Sequence, residues 1–160
     1  MKRLVMAFSG PSNSGKTTVI EKIVKNFMSK GFKVAIIKHD PKDKANFDVK
    51  GKDSFRFFES GADVLVLSPS RSTFFSHKPM DIDESLKLLK DFDIILIEGL
   101  KSLKLPRISV FFKDIDESYF YCSMAIASYE KVQQNGLVWL HLDDIDGLCA
   151  YILKNAKEIN

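Results

Sequence analysis

The sequence predicts an α/β fold, in which a mostly parallel sheet carries helices on both of its faces. Three observations support this class. A short apolar run over 3–8 is followed by a glycine-bounded loop, and an apolar pattern with helical spacing then extends over 17–30. The stretch 93–99 contains four consecutive aliphatic residues, which is typical of a parallel strand buried on both faces. Further apolar runs alternate with helical patterns, and such alternation builds a parallel sheet through right-handed crossovers.

The loop after the first strand is the most informative segment. It consists of Gly10, Pro11, Ser12, Asn13, Ser14, Gly15, Lys16, Thr17 and Thr18, which fits the pattern G-x-x-x-x-G-K-[ST] at every fixed position. Its glycines let backbone N–H groups turn inward around phosphate oxygens. Lys16 would reach the β- and γ-phosphates, and the Thr17 hydroxyl would coordinate Mg²⁺. Because a strand precedes the loop and a helix follows it, the sequence predicts the three-layer fold of phosphate-loop NTPases. The alternative is a turn rich in glycine and serine that happens to end in Lys-Thr, which would require both the pattern and its context to arise by coincidence.

Apolar runs predict seven further strands. They lie at 33–38, 63–67, 72–75, 93–98, 107–112, 121–127 and 137–140. Each is aliphatic or aromatic in the main and is bounded by polar residues or glycine. The segment 39–52 is instead polar and charged, and it begins where a strand ends, at the sheet edge where open α/β folds bind their ligands.

Three further helices are predicted between and after these strands. They run from Asp53 or Ser54 to Ser60, from Asp83 to Lys90, and from Asp143 or Asp144 to about Lys157. An Asp or Ser at such a start can accept a hydrogen bond from a free N–H group of the first turn. Gly31 and Gly61 are expected to end the helices that precede them in a left-handed conformation.

The composition is that of an ordinary globular protein, and at 160 residues we expect a single domain over 1–160. The net charge of +3 is spread along the chain, which gives no support for a nucleic-acid partner. No stretch of about 18 apolar residues predicts a membrane span, and the first strand leaves no room for a signal peptide, so we expect a cytoplasmic protein. Cys122 and Cys149 lack metal-site spacing and are interpreted as small buried side chains in a reducing compartment.

Glu98 stands at the carboxyl end of the strand over 93–98. In phosphate-loop proteins an acidic residue at this place holds Mg²⁺ or one of its waters. Asp93 is at the other end of the strand, roughly 17 Å away, and cannot share that role. The alternative for Glu98 is a solvated charge at a strand end.

Together the motifs resemble those of the molybdopterin-guanine dinucleotide biosynthesis protein B family, over about the first two thirds of the chain. The matching segments are the phosphate loop, Lys38-His39-Asp40, Phe47-Asp48, Gly51-Lys52-Asp53-Ser54 with Arg56, Gly61-Ala62, and Glu98-Gly99 with Lys101. The resemblance implies a protein that binds GTP, hydrolyses it weakly, and assists a separate guanylyltransferase that joins GMP to molybdopterin. It also implies a homodimer, with molybdopterin itself as a candidate ligand.

The loop and the resemblance together give a set of candidate site residues. The catalytic candidates are Lys16, Glu98 and Asp40; the Mg²⁺ candidates are Thr17, Glu98 and Asp40; the nucleotide contacts are Gly10, Asn13, Ser14, Gly15, Lys16, Thr17, Thr18, His39, Asp53, Arg56 and Lys101. Simpler explanations stay open for the residues outside the loop. Asp40 is also suited to a turn before Pro41, Asp53 to a helix cap, and His39, Arg56 and Lys101 to solvated positions.

The chain departs from the family pattern in three respects. The loop over 41–44 lacks the His that the family often carries there, so a His-dependent step is not expected. The guanine-reading motif N-K-x-D is absent, and the Asp that the family usually shows near an Ala-Ser pair is replaced by Glu130. Glu130 could accept the same two hydrogen bonds from guanine. The preference for GTP therefore rests on the resemblance.

Two classes of function remain open, with a third much weaker. A small-molecule kinase uses the same loop, but kinases close arginines or lysines over the γ-phosphate, and this chain has four scattered arginines with no lid-like insertion. A metal-delivery GTPase would require a His or Cys metal set, which the sequence does not contain. The aromatic residues Phe111, Phe112, Tyr119, Phe120 and Tyr121 are a candidate self-interface, unless they are simply buried in the sheet.

Overall fold

The computed structural model describes residues 2–160, and Met1 lies outside that range. The elements are β1 Arg3–Ser9, α1 Lys16–Ser29, β2 Val34–Lys38, α2 Asp53–Glu59, β3 Val64–Leu67, β4 Ser72–Phe75, α3 Ile82–Leu88, β5 Ile94–Glu98, β6 Arg107–Phe111, a 3-10 helix Glu117–Cys122, β7 Ala125–Ser128, β8 Val138–His141, α4 Ile145–Asn155 and β9 Lys157–Ile159. The contacts divide the chain into two compact units. The first unit comprises 2–39 with 89–160, and the second unit comprises 40–88.

The first unit contains the central sheet. Its strand order is β2-β5-β1-β6-β7-β8, all neighbours in this path are parallel, and β9 pairs antiparallel with β1. In the register of β1, Phe8 pairs with Glu98 of β5 and Ala7 pairs with Arg107 of β6. This arrangement confirms the predicted α/β class with a mostly parallel sheet. It places β1 between the strand that carries Glu98 and the strand that begins with Arg107.

The core of the first unit lies on both faces of β1 and β5. The aliphatic run Ile94–Ile97 has no solvent exposure, as the unbroken apolar sequence predicts for a strand covered on both sides. Helices α1 and α4 pack together over one face, where Phe27 and Ile152 are fully buried. On the opposite face, Phe111 packs edge-on against Tyr119 of the 3-10 helix, with ring centroids 5.8 Å apart. Each large apolar side chain buried in this way contributes roughly 1.5–3 kcal/mol.

The second unit consists of α2, α3 and the antiparallel hairpin formed by β3 and β4. The imidazole of His77 stacks on the ring of Phe58 with centroids 3.8 Å apart, and His77 Nε2 lies 2.9 Å from the Phe58 carbonyl oxygen. The Asp63 carboxylate accepts hydrogen bonds from His77 N and Ser76 Oγ, and these bonds lower the pKa of Asp63. The hydrogen bonds to Asp63 therefore join the two ends of the hairpin, and the stacking of His77 on Phe58 packs it against α2.

Several predicted boundaries are confirmed. Gly31 and Gly61 follow their helices with φ of +86° and +98°, as expected for left-handed helix ends. The Asp144 carboxylate accepts from Gly147 N at 2.9 Å and caps α4. Cys149 is buried as predicted, whereas the prediction is wrong for Cys122, which is only half-buried because it ends the 3-10 helix. In the range 2–160, no helix is both long and apolar enough to cross a membrane.

Other predicted boundaries are wrong. The strand over 121–127 begins only at Ala125, because Tyr121 and Cys122 belong to the 3-10 helix. The closing helix stops at Asn155, since Ala156 is extended and the following residues pair with β1. Neither Asp53 nor Ser54 caps α2: the cap position is Lys52, without a side-chain bond, and Asp53 lies in the first turn.

The aromatic run divides between the core and the surface. Phe111 and Tyr119 are buried, which contradicts their assignment to a self-interface, while Phe112 is 49% and Tyr121 80% exposed. Phe120 is half-buried. Sheet alternation explains part of the division, because Phe111 is the last residue of β6 and Phe112 lies beyond it.

That residues 1–160 form a single domain stays a prediction.

Candidate phosphate-binding site

A cavity of about 480 Å³ lies at the carboxyl edge of the sheet in the first unit. It is lined by Ser12, Asn13, Ser14, Gly15, Lys16, Thr17, Thr18 and Glu98. The loop enters from β1, which ends at Ser9, and leaves into α1, which begins at Lys16. Because the first turn of a helix has free N–H groups, and because α1 has no acidic residue in that turn, this edge favours an anion.

The loop needs its glycines for its shape. Gly10 has a φ of +141°, and a Cβ at that position would overlap the carbonyl oxygen of Val110 and lie 2.7 Å from Ser14 Oγ. Gly15 has a φ of +82° and packs against Phe112. Asn13 also adopts a positive φ, of +60°, which Asn tolerates better than most residues. A side chain at Gly10 would therefore collide with β6 and with Ser14, and one at Gly15 would be strained by its positive φ and press against Phe112.

Lys16 extends along the inside of the loop. Its ammonium donates to Gly10 O at 3.0 Å, to Pro11 O at 2.6 Å and to Ser14 Oγ at 3.3 Å. Burial lowers the pKa of Lys16, the Glu98 carboxylate acts in the opposite direction, and the cations Lys101 and Lys38 lower it further. Lys16 thus lines the cavity beside one carboxylate and under the field of two further ammonium groups, and an incoming polyanion would relieve the repulsion among the three cations.

Glu98 is fixed by the backbone on both sides. Its carbonyl accepts from His39 N at 3.0 Å, and the following Gly99 N donates to Phe8 O at 2.9 Å. Gly99 has a φ of +91°, and a Cβ there would lie 3.2 Å from His39 Cβ. The side chain of Glu98 is half-buried and lines the cavity beside the loop. Its position at the end of β5, next to β1, is the one that the sequence predicts.

The donors at this cavity fit a magnesium nucleotide. Thr17 and Thr18 are exposed in the first turn of α1, and Glu98 lies across from them. Among residues 2–160, no three His, Cys, Asp or Glu side chains are grouped so as to hold a metal by themselves. Mg²⁺ usually binds through one or two protein oxygens together with substrate phosphates and water, which is what Thr17 and Glu98 can provide.

His39 and Lys101 belong to the first unit and flank the Glu98 turn. His39 is exposed, and its side chain lies beside Gly99, where an added Cβ would be 3.2 Å from His39 Cβ. The ammonium of Lys101 lies over the ring of Tyr119, 3.4 Å from its centroid, and this contact holds an otherwise flexible side chain. Lys101 also affects the Lys16 ammonium electrostatically, so the two cations are near each other.

The remaining candidates belong to the second unit. The Asp40 carboxylate accepts from Lys44 N at 2.7 Å and from Ala45 N at 2.6 Å, which is the turn-forming role that the sequence left open. Asp53 and Arg56 are exposed on α2, and their charged groups lie 3.9 Å apart. A role in nucleotide binding stays a prediction for Asp40, Asp53 and Arg56.

Arg107 is a residue of this region that sequence reasoning treated only as the start of a strand. It has no solvent exposure, and its guanidinium donates to Ser9 Oγ and to backbone oxygens of the segment after Glu98. Burial lowers its pKa. The one signal in the sequence is a basic residue that opens an otherwise apolar run.

A second cavity, of about 570 Å³, lies at the ends of β6 and β7. It is lined by Phe112, Lys113, Asp114, Ile115, Tyr129 and Glu130. The rings of Phe112 and Tyr129 meet edge-on with centroids 5.4 Å apart, and Phe112 also packs against Gly15 of the loop. The Glu130 carbonyl accepts from Ser128 Oγ at 2.6 Å and from Trp139 Nε1 at 3.0 Å. These bonds fix the backbone that presents the Glu130 carboxylate.

The geometry agrees with the comparison against known proteins. The family model described as molybdopterin guanine dinucleotide synthesis protein B, or MobB, matches residues 5–129. The chain belongs to the MobB family. The matched range contains the phosphate loop, the Glu98 turn and the lining of the 480 Å³ cavity, and it ends one residue before Glu130 of the second cavity.

Two curated relatives of the MobB family are similar over much of the chain. A putative molybdopterin-guanine dinucleotide biosynthesis adapter protein of Methanocaldococcus jannaschii is 39% identical over 120 residues, which covers 71% of this chain and 49% of the relative. The chain thus matches about half the length of that archaeal protein. The molybdopterin-guanine dinucleotide biosynthesis adapter protein of Escherichia coli is 28% identical over 168 residues, covering 98% of this chain and 95% of the relative.

A solved MobB structure has the same architecture. The crystal structure described as molybdopterin-guanine biosynthesis protein B superposes with a TM-score of 0.78 at 27% identity, and the match covers 94% of this chain and 99% of that one. The resemblance stated from the motifs is therefore confirmed at the level of the family and of the fold.

Proposed function

We propose that this chain is a GTP-binding adapter with slow GTPase activity, which assists a guanylyltransferase in joining GMP to molybdopterin. The observation that carries the proposal is the cavity in which the phosphate loop, Lys16, Thr17 and Glu98 come together. The relatives described as adapter proteins support the place in molybdopterin guanine dinucleotide biosynthesis.

The loop residues bind the phosphate end of the nucleotide in this proposal. Amides of the loop and of the α1 N-terminus hold phosphate oxygens, and Lys16 exchanges its bonds to Gly10 O and Pro11 O for bonds to the β- and γ-phosphates. Thr17 and Glu98 orient Mg²⁺, directly or through water. Bound Mg²⁺ supplies neutralisation of the charge on the phosphate oxygens. His39 and Lys101 of the first unit, and separately Asp40, Asp53 and Arg56 of the second unit, are proposed as further nucleotide contacts.

The second cavity of the first unit suits the base. Since β5 with Glu98 lies on one side of β1, the nucleoside is expected on the other side, at the ends of β6 and β7. Phe112 and Tyr129 offer aromatic surface there. The Glu130 carboxylate can accept from the N1–H and N2–H groups of guanine, whereas adenine presents an acceptor at N1. This complementarity supports GTP over ATP.

The proposal of slow hydrolysis rests on the positions of the two arginines of the first unit, Arg3 and Arg107. Arg3 lies at the start of β1, where it donates to Asn160 O and Leu89 O, and Arg107 is buried against backbone oxygens. Neither lines the phosphate cavity. Phosphate-loop proteins without an arginine finger turn over on the order of minutes or slower, so we propose that a partner completes the site in trans.

The proposed assembly is a cytoplasmic homodimer that also meets the guanylyltransferase and, through it or directly, molybdopterin. Exposed apolar side chains at Phe112, Tyr121 and Met124 support a protein contact on the first unit. Sedimentation and light scattering at micromolar concentration test the dimer, which a strict monomer with and without GTP would exclude.

The function is tested by two measurements on the purified chain. Calorimetric titration with GTP, GDP, ATP and ADP, each with and without Mg²⁺, should give binding that is tightest for the guanine nucleotides. Addition of the chain to a guanylyltransferase reaction with molybdopterin and limiting GTP should increase dinucleotide formation. No increase at any ratio would contradict the adapter role, and phosphate transfer to an added acceptor in place of slow release to water would favour a kinase.

A further inference from the structure

We propose that Arg107 is a positioning residue, which sets the phosphate loop and the Glu98 carboxylate at a fixed separation. The proposal rests on the function proposed above, because it concerns how the magnesium nucleotide site is held. It adds a residue that contacts neither the nucleotide nor the metal.

The guanidinium of Arg107 joins two segments, the end of β1 and the turn after Glu98, beyond the last backbone bond between them, which runs from Gly99 N to Phe8 O. Nη1 donates to Ser9 Oγ and to Gly99 O, both at 2.8 Å. Ser9 is the last residue of β1 and directly precedes the first glycine of the loop, and Gly99 directly follows Glu98. One planar group with a rigid fork of donors therefore holds the entrance of the loop against the turn that carries the acid.

The same guanidinium also closes the turn itself. Nη2 donates to Leu100 O at 2.8 Å and to Leu103 O at 3.3 Å. Gly99 and Leu100 are consecutive residues with positive φ, of +91° and +51°. Leu is rarely found in this conformation, so the turn needs support from its surroundings. Three backbone oxygens aimed at a single cation provide that support.

The burial of Arg107 indicates that its role is specific. The side chain is 0% exposed, and burial lowers its pKa. Its four hydrogen-bond acceptors are one hydroxyl and three carbonyl oxygens. A buried cation that is compensated only by neutral dipoles is expensive for folding compared with an apolar side chain of similar volume. An apolar residue would fill the space at the start of β6 but could not bond to Ser9 Oγ and Gly99 O, which leaves the backbone bond from Gly99 N to Phe8 O as the remaining link.

The consequence concerns magnesium more than phosphate. The amides of the loop and Lys16 do not depend on Arg107 for their contacts, so Mg²⁺-free GDP binding should survive its removal. The Glu98 carboxylate would lose its fixed distance from Thr17. Residues that orient metal ligands through hydrogen bonds typically affect metal affinity ten- to a hundredfold.

The test compares Arg107→Met, Arg107→Lys and Ser9→Ala with wild type. Ser109→Ala is the matched control, since Ser109 is a buried serine that bonds to Ser123 and not to Arg107. For Arg107→Met we expect the Mg²⁺ concentration for half-maximal GTP binding and hydrolysis to rise about tenfold, with Mg²⁺-free GDP affinity within about twofold of wild type. Arg107→Lys, which keeps the charge but not the planar fork of donors, should restore only part of the Mg²⁺ response, and Ser9→Ala should show a smaller shift than Arg107→Met in the same direction.

The outcomes separate a positioning role from a structural one and from failure of the proposed function. If Arg107→Met does not fold, as judged by circular dichroism, Ser9→Ala carries the test with Ser109→Ala as its reference. A parallel loss of GDP affinity, Mg²⁺ response and thermal stability would overturn the proposal in favour of simple packing, as would an unchanged Mg²⁺ midpoint in the folded variants. Wild type that binds no nucleotide would refute the proposed function and this inference together, whereas binding with normal Mg²⁺ response in the variants would refute the inference alone.

Discussion

Lys16 and Glu98 line one cavity from two elements, α1 and the end of β5, and the Glu98 carboxylate acts on the Lys16 ammonium. Lys16 meanwhile satisfies its donors with loop oxygens. Both charged groups thus line the same cavity, and the hydrogen bonds of the Lys16 ammonium go to loop oxygens. This pair suits a magnesium-bound phosphate, because a carboxylate can bind Mg²⁺ and an ammonium group can bind the phosphate oxygens.

Glu98→Gln keeps the size of the side chain and removes its charge. We expect GTP turnover to fall about ten- to a hundredfold, while GDP affinity stays nearly intact, because the carboxylate orients the metal and not the phosphates. Phosphate release and calorimetry check the two halves. Glu117→Gln, at an exposed position of the 3-10 helix, is the control for a lost surface charge. Normal turnover in Glu98→Gln would transfer the role of the acid to Asp40.

Glu130→Gln tests the base site. The amide replaces one carboxylate acceptor by a donor, so one of the two bonds to guanine is lost. The ratio of GTP to ATP affinity should fall about tenfold, since a charge-assisted hydrogen bond is worth roughly 1.5–3 kcal/mol. Competition binding with both nucleotides measures this ratio directly. If the ratio does not change, Glu130 does not read the base.

The two cysteines should differ sharply in reactivity. Cys149 is 1% exposed, and burial raises the pKa of its thiol to about 11 from the ordinary 9.0. A rise of two pKa units leaves about a hundredfold less thiolate at neutral pH. Alkylation near pH 8 followed by mass spectrometry should modify the half-buried Cys122 first. Equal rates at the two positions would disagree with the structure.

The same thiol gives a pH dependence with a defined sign. The folded protein keeps the Cys149 proton to a higher pH than the unfolded chain does, so the folded state binds more protons between pH 9.0 and about 11. The contribution of Cys149 to stability should therefore decrease as the pH rises through that interval. Urea unfolding of wild type and Cys149→Ala across the interval isolates the contribution, and a difference that does not vary with pH would refute it.

The phosphate loop and Glu98 could be predicted from the sequence because their signals are local. The loop is contiguous over 10–18, its strand and helix adjoin it, and Glu98 ends an aliphatic run that is typical of a buried strand. The fold class could be predicted too, because apolar strand runs alternate with helical patterns along the chain. Helix ends at glycine and the cap at Asp144 are local as well, and they are confirmed.

Arg107 and β9 were missed because their partners are distant or carry no sequence signal. Arg107 bonds to Ser9, 98 residues away, and to backbone carbonyls, which every residue possesses. Strand β9 is a run of three residues whose extended form depends on pairing with β1. The aromatic Tyr121 resembled a strand residue, but the cap at Asp116, which accepts from Ser118 N, begins a 3-10 helix there. Tertiary contacts decide such segments, and propensity alone does not.

The most direct test of the account is the titration of Mg²⁺-GTP into wild type and Lys16→Ala. Lys16 is the side chain whose ammonium lies inside the loop, and Lys25→Ala on the exposed face of α1 is the matched control. Because the charge-assisted contacts of Lys16 are worth roughly 1.5–3 kcal/mol, its removal should weaken binding by about ten- to a hundredfold while the fold is kept. Lys25→Ala should bind as wild type does. Equal affinity of Lys16→Ala and wild type, measured by calorimetry on folded protein, would contradict the assignment of this loop as the nucleotide site.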